Sequence, residues 1–162
     1  MFSAIVLCPA STPATAVVRT LAALVPLAVG GLVRDLVMAA PAEPVFSRIA
    51  DEAGCALSGS TEFAVALALT RADWLLVIRA GFAPLEGFND EAGDFLGGGA
   101  RAGLLRAEPA ALWTRLFPAT AEIAGLLVPR SMLGKAATGS LANLPPGLQP
   151  RVTLRTRARR VL

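Results

Sequence analysis

The sequence predicts an α/β fold in which a mostly parallel β-sheet carries helices on both faces. The chain has 162 residues, which is enough for one compact domain with a sizeable core. Short apolar runs alternate with segments of helical spacing as far as Arg79. In addition, 54% of the residues are hydrophobic and only 17% are charged. This composition is typical of strands that are buried on both faces.

The first β-α unit is the clearest. Phe2–Leu7 is a continuous apolar run that suits a buried parallel strand. Pro13 follows Ser11 and Thr12, and proline is favoured at the start of a helix. Ala14–Val25 then carries an apolar stripe at helical spacing, so we expect a helix that ends near Pro26.

The same alternation continues to Arg79. Three more strands are predicted: Leu32–Met38, Cys55–Ser58 and Asp73–Arg79. Two helices are predicted between them: Val45–Ala53 and Glu62–Ala72. Gly54 follows the first of these helices, where glycine is a favoured C-terminal residue. Strands and helices in this order, with short loops, predict a parallel sheet with right-handed crossovers.

The second half of the chain is less regular, and we find no domain boundary in it. Its predicted helices are Leu85–Leu96 and Pro109–Phe117. Its predicted strands are Arg101–Arg106, Leu126–Pro129 and Arg151–Arg155, of which the last alternates like an edge strand. Gly97–Gly99 follows a helix instead of a strand, so we interpret it as a linker and not as a phosphate-binding loop.

The composition excludes several kinds of catalysis. The chain has no His, which excludes Ser-His-Asp and Cys-His nucleophiles and His-ligated zinc. Cys8 and Cys55 form no CxxC motif, and we expect both to be small buried hydrophobes without a disulfide. The net charge of +3 depends on five arginines in the last twelve positions, so we predict no nucleic-acid partner.

Targeting signals are missing from the pattern as well. The longest uncharged apolar stretch, Thr20–Val33, is too short to span a bilayer and is interrupted by Pro26. No basic residue precedes the apolar run Ala4–Leu7, so the start of the chain lacks the form of a signal peptide. We therefore expect a cytoplasmic protein with no transmembrane segment.

Several segments of this pattern resemble a known family. They are Ala4–Ala10, Leu21–Pro26, Gly31–Ala39, Ile49–Cys55, Arg71–Ile78, Gly125–Arg130 and Val152–Leu154 with Arg159 and Arg160. They are similar to segments of small bacterial family-2 inverting glycosyltransferases, which have the A-type, nucleotide-sugar-binding fold. The resemblance extends along the first half of the chain and continues in shorter segments of the second.

The resemblance implies a reduced A-type glycosyltransferase fold with a Rossmann-like sheet. It divides a single domain, residues 1–162, into a nucleotide-binding-like half (1–96) and a shortened acceptor-side half (97–162). It also implies transfer of a sugar from a nucleotide-sugar donor, usually with Mn²⁺ or Mg²⁺. The nucleotide-binding positions that it implies are Pro9, Ala10, Ala40, Arg79 and Gly81.

The acidic motifs of the family fall on residues that are not acidic. Its Asn-Glu falls on Thr12 and Pro13, its first Asp on Ala40, and its metal-binding Asp-x-Asp on Arg79–Gly81. The residues that bind the divalent metal in the family are therefore missing from this sequence, so we assign it no cofactor. Two interpretations stay open: an active glycosyltransferase, or a catalytically inactive binding or assembly module, a pseudoenzyme.

Two charged residues are the candidates for a site. Arg79 stands at a metal-ligand position, where a guanidinium is either a phosphate-binding group or a solvated charge. Glu122 lies one position from the expected general base, so it is a weak catalytic candidate beside the alternative of a solvated carboxylate. Asp90, Glu91 and Asp94 are interpreted as the solvated face of a helix. The partners considered are a nucleotide-sugar and either a second copy or another protein.

Overall fold

A computed structural model of the chain describes residues 1–98, 102–108, 122–133 and 152–161. Its strands are β1 (Phe2–Leu7), β2 (Val33–Pro41), β3 (Ala56–Gly59), β4 (Trp74–Arg79), β5 (Phe82–Pro84), β6 (Gly103–Ala107), β7 (Ile123–Pro129) and β8 (Val152–Arg160). Its helices are α1 (Ala14–Val29), α2 (Pro44–Ala53), α3 (Phe63–Ala68), α4 (Phe88–Gly97) and α5 (Arg130–Leu133). The predicted helix Pro109–Phe117 lies outside the described residues.

The strands form one sheet in the order β3-β2-β1-β4-β7-β6-β8-β5. Strands β1 to β4 are parallel to one another, and β6 and β8 run in the same direction. Only β7 and β5 run the opposite way among the described strands. The predicted mostly parallel sheet is therefore confirmed.

Helices cover both faces of this sheet, as predicted. One core cluster joins the sheet to α1, α2 and α4 through residues that include Val17, Leu24, Phe46, Ile49 and Phe88. The cluster on the other face joins it to α3 and α5, represented by Ala66 and Leu133. Burial on both sides explains why β1 and β4 are almost continuously apolar.

The register brings the carboxyl ends of three strands together. Leu7 at the end of β1 lies opposite Ala39 of β2 on one side and Arg79 of β4 on the other. The amide of Cys8 donates to the carbonyl of Ala39 at 3.0 Å, and the amide of Ala80 donates to the carbonyl of Leu7 at 2.8 Å. We call the side of the sheet where β1, β2 and β4 end the carboxyl edge.

Three helix boundaries differ from the prediction by three or more residues, one of them the start of α4 at Phe88 instead of Leu85. Helix α1 continues through Pro26 to Val29, because Pro26 is exposed near the end of the helix, where the loss of one hydrogen bond is tolerated. Helix α3 ends at Ala68 instead of Ala72. There the guanidinium of Arg130 donates to the carbonyls of Thr70 and Leu67 at 2.6 and 3.3 Å, which satisfies groups that a longer helix would use.

The last strand is the largest correction to the predicted topology. Strand β8 extends to Arg160 and lies between β6 and β5 in the sheet, so it is not an edge strand.

Glu91 of α4 was expected to be solvated, but its carboxylate accepts the backbone amides of Arg155 and Thr156 at 2.6 and 2.7 Å. It thereby pairs donors of β8 that the short strand β5 does not reach. Asp90 and Asp94 are exposed, as predicted.

Both cysteines are free thiols, as predicted. Cys8 is buried as expected, whereas Cys55 is only half-buried and corrects the expectation that both are buried. Within the described residues, the helices are all too short or too polar to cross a bilayer.

Candidate functional site

The carboxyl edge holds the positions that the resemblance implied for a nucleotide. Pro9 and Ala10 follow β1 and are exposed, whereas the side chain of Ala40 is buried in the core near the end of β2. Arg79 is the last residue of β4, and its side chain is 37% exposed. Of these residues, only Arg79 brings a charged side chain to the edge.

Gly81 has a structural part in this region. Its φ of +92° is in the left-handed region that favours glycine. Its amide donates to the hydroxyl of Thr20 at 2.9 Å, and its carbonyl accepts the amide of Val161 at 2.8 Å. Both backbone groups are used inside the protein, so Gly81 shapes the turn after β4 and offers no amide to a ligand in this conformation.

Glu122 lies between two arginines at the carboxyl edge. Its Oε1 accepts Nη1 of Arg79 and its Oε2 accepts Nη2 of Arg160, each at 2.5 Å. Glu122 directly precedes β7, the antiparallel neighbour of β4, and Arg160 is the last residue of β8. The ends of three strands thus supply one charged cluster, which we call the Arg-Glu-Arg cluster (Arg79, Glu122 and Arg160).

An aromatic ring supports both guanidinium groups. The guanidinium carbons of Arg79 and Arg160 lie 5.6 and 5.5 Å from the ring centre of Phe82. Phe82 itself is only 3% exposed, because β5 packs it into the core. Cation–π contacts of this kind contribute about 0.5–1 kcal/mol at exposed sites. The ring therefore holds the two cations near each other, although their charges repel.

The electrostatics of the cluster decide the protonation of Glu122. Partial burial alone raises the pKa of this carboxyl group, but hydrogen bonds from Arg160 and Arg79 and their positive charges outweigh it and lower the pKa. Glu122 is therefore ionised at neutral pH and is a weak base. The sequence interpretation of Glu122 as a solvated loop carboxylate does not match this geometry, because both of its oxygens are bound.

The residues at this edge do not suit the divalent metal that the resemblance implies. All twelve acidic residues of the chain fall within its described parts. Across those parts, no group of three or more His, Cys, Asp or Glu side chains is placed to hold a metal ion. The carboxylate of Glu122 is already bound by two guanidinium groups, whose positive charges would repel a second cation.

An apolar groove of about 560 Å³ lies elsewhere, between α1 and α2. It reaches the start of β2 at Val33 and Arg34, whereas the carboxyl edge is at the other end of that strand. Its lining is mainly aliphatic, with Arg34 and Glu52 as its charged members. The groove is therefore separate from the Arg-Glu-Arg cluster.

The sheet order and the helices on both faces resemble a reduced A-type glycosyltransferase fold. Solved structures of two sugar-phosphoglycerate synthases share this fold. One is glucosyl-3-phosphoglycerate synthase from Mycobacterium tuberculosis in complex with Mn²⁺, UDP and glucosyl-3-phosphoglycerate, with 17% identity, a TM-score of 0.58, and coverage of 82% of this chain and 58% of that one. Another is mannosyl-3-phosphoglycerate synthase from Rubrobacter xylanophilus, with 15% identity, a TM-score of 0.53, and coverage of 82% and 55%.

At these identities the similarity establishes the fold. The chain spans less than two thirds of the length of either structure. No family model matches the sequence, and a search of curated proteins finds no match. The glycosyltransferase resemblance seen in the sequence is therefore confirmed for the fold.

The sequence singled out Arg79 and Glu122 one at a time, and it missed Arg160 and Phe82. Arg160 was part of a basic tail in the sequence interpretation. The available signal was Glu122 itself, which directly precedes an apolar strand and therefore lies where that strand begins. The order of the strands in the sheet decides that β8 brings Arg160 to Glu122, and the local sequence pattern does not encode that order.

Proposed function

We propose that this chain binds the diphosphate of a nucleotide or nucleotide-sugar at its carboxyl edge, with Arg79 and Arg160 in the place of a metal ion. The observation that carries this proposal is the convergence of two guanidinium groups from β4 and β8 on a single carboxylate. Guanidinium groups bind phosphate oxygens with charge-assisted, directional hydrogen bonds. They would neutralise a diphosphate as a divalent cation does in related folds.

The position of the cluster supports the same conclusion. In open α/β sheets, ligands bind outside the carboxyl ends of the parallel strands. Arg79 is at such an end, and β8, which carries Arg160, runs in the same direction as β4. The Mycobacterium tuberculosis enzyme of the same fold is described with UDP and Mn²⁺ bound. A nucleotide diphosphate is therefore the ligand class that fits both the fold and the charge.

We further propose that binding occurs without sugar transfer, as in a binding or assembly module. An inverting transfer needs a general base, and the lowered pKa of Glu122 makes it a poor one. Sugar transfer from a nucleotide-sugar donor is the alternative, and the shared fold with sugar-transferring enzymes favours it. The two functions differ in whether bound nucleotide-sugar is consumed.

A thermal-shift titration with UDP, GDP and dTDP, each in EDTA and in Mn²⁺, tests the binding proposal. We expect at least one nucleotide to raise the Tm in EDTA, and we expect R79A and R160A to lose that shift. R48A is the matched control, because Arg48 pairs with Glu52 on the exposed face of α2. Stabilisation only in Mn²⁺, or none by any nucleotide, contradicts the proposal. Release of nucleoside diphosphate from a nucleotide-sugar would favour the transfer alternative.

We propose the reducing cytoplasm as the setting of this function, because both cysteines are free thiols and disulfides are rare in that compartment. Fractionation of cells that express the native gene, with detection of the chain in the soluble cytoplasmic fraction, tests this assignment.

A further inference from the structure

We propose that the Glu122 carboxylate is an internal stand-in for the ligand's phosphate, which holds Arg79 and Arg160 in place until an anion displaces it. This inference rests on the proposed function and adds a means of regulation to the same site. In it, the ligand-free protein is held in an autoinhibited state by its own side chain.

The contacts of Glu122 resemble those of a phosphate. Each of its two oxygens accepts one guanidinium nitrogen, so one planar anion bridges two cations. A phosphate group presents more oxygens and more negative charge to the same donors. Both guanidinium groups already point at one carboxylate, so they are oriented before a ligand arrives. A phosphate would need only to replace that carboxylate.

The charge balance of the cluster leaves room for a stronger anion. Two guanidinium groups and one carboxylate carry a net formal charge of +1 at neutral pH, when Glu122 is ionised. Phe82 lies near both guanidinium carbons, within 5.6 Å of each, and adds only an electron-rich ring face. Glu122 therefore neutralises the pair only in part, which is expected of a stand-in that a dianion can outcompete.

The stand-in can leave without breaking the sheet. The backbone carbonyl of Glu122 accepts the amide of Ala107 at 2.7 Å, which fixes the main chain between β6 and β7. Its side chain is 36% exposed, so rotation about its own bonds carries the carboxylate into solvent. Displacement thus needs a rotamer change and no strand separation.

Binding of inorganic pyrophosphate and of UDP to the wild type and to E122Q, measured by calorimetry in EDTA, tests this inference. Glutamine keeps the shape of the side chain and removes its charge, so we expect E122Q to bind both probes on the order of tenfold more tightly. The double variant R79A/E122Q should lose the gain. E108Q is the matched control, because Glu108 is exposed at the end of β6 and its loss changes the net charge equally.

The outcomes separate this inference from the proposed function. If the wild type binds UDP through Arg79 but E122Q binds no more tightly, or E108Q gains as much, the stand-in is overturned and the proposed function survives. If only E122Q binds, and binds only pyrophosphate, the stand-in is supported and the nucleotide function fails. If neither protein binds either probe, both are overturned.

A structural ion pair predicts a different pattern. If the ion pairs of Glu122 only hold β4, β7 and β8 together, then E122Q should lower the Tm and leave the affinity for anions unchanged. If E122Q does not fold, E122D serves as the second variant, because its shorter side chain keeps the charge but weakens both contacts. A gain in pyrophosphate affinity in E122D supports the stand-in, and no gain contradicts it.

Discussion

The hydroxyl of Thr20 accepts the backbone amide of Gly81 across 2.9 Å, and both residues are buried. This hydrogen bond connects helix α1 to the turn that follows β4. The turn has Arg79 on one side and Phe82 on the other, so the bond fixes Arg79 of the Arg-Glu-Arg cluster relative to the aromatic ring that contacts it. A buried threonine on a helix thereby positions a cluster to which it contributes no charge.

Replacing Thr20 tests this connection. T20V keeps the shape of the side chain but leaves the amide of Gly81 buried without an acceptor, which costs about 1–3 kcal/mol of unfolding free energy. T20S removes one methyl group and keeps the acceptor, so its cost should be smaller. Urea denaturation of the two variants and the wild type measures both costs. Equal stability of T20V and wild type would contradict the assignment.

Gly125 is required in the middle of the sheet because β7 approaches β4 closely. A Cβ atom at this position would lie 2.8 Å from the backbone carbonyl oxygen of Val77. We therefore expect G125A to destabilise the protein by about 3 kcal/mol, since backbone and not a flexible side chain must move. Thermal or urea denaturation measures the change.

Gly93 of α4 is the control for Gly125. A Cβ atom built there meets nothing within 4 Å, and the position is inside a helix, where alanine is favoured. G93A should therefore stabilise the protein by about 0.5–1 kcal/mol. Similar destabilisation in G93A and G125A would show that general glycine effects, and not the contact with Val77, are responsible.

Glu91 should make stability depend on acidic pH. Partial burial alone raises its pKa, but hydrogen bonds from Thr156 and Arg155 and the charge of Arg155 outweigh it and lower the pKa in the folded protein. A lowered pKa stabilises the fold above the unfolded value, near pH 4.3, and this contribution disappears as the pH falls through the folded value.

Urea denaturation of E91Q between pH 7 and pH 3 checks this expectation. The variant should be less stable than the wild type at pH 7, and the difference should shrink as the solution becomes more acidic. D90N is the control, because Asp90 is exposed on the same helix and should change stability little at either pH. A difference between E91Q and wild type that stays constant with pH would contradict the role of the ionised carboxylate.

The two thiols should differ in reactivity. Burial, with a smaller effect from nearby Cys55, raises the pKa of Cys8 to about 12, while Cys55 is only half-buried. Because the thiolate is the reactive form, native Cys8 should react negligibly with Ellman's reagent at pH 8. The single variants C55S and C8S, assayed before and after denaturation, report each thiol alone. Rapid reaction of native C55S would contradict the burial of Cys8.

The fold was largely predictable because its strongest signals are local. Strand β1 was predicted with its observed bounds, because five of its six residues are apolar and Pro9 stands two positions after Leu7. Helix α2 was found within one residue, and Gly54 takes the left-handed conformation expected after a helix, with φ of +64°. Each of these features depends on a few neighbouring residues, so the pattern along the chain contains them.

The parts that were missed depend on contacts between distant segments. Strand β5 has three residues, too few to show alternation, and it exists because Phe82, Ala83 and Pro84 pair with β8. The Arg-Glu-Arg cluster joins residues that are 43 and 38 positions apart in the sequence. Only the sheet order reveals that Arg160 returns to Arg79, and local patterns carry no information about that order.

The location of β8 has a consequence for synthesis on the ribosome. Arg79 and Phe82 leave the ribosome long before Arg160, so a nascent chain has one guanidinium for Glu122 and an unpaired β5 until the last strand arrives. Strand β6 also has an open side until β8 joins it. The Arg-Glu-Arg cluster can therefore be completed only after β8 has been synthesised, and a chain that stalls before β8 lacks one of the two guanidinium groups that bind Glu122.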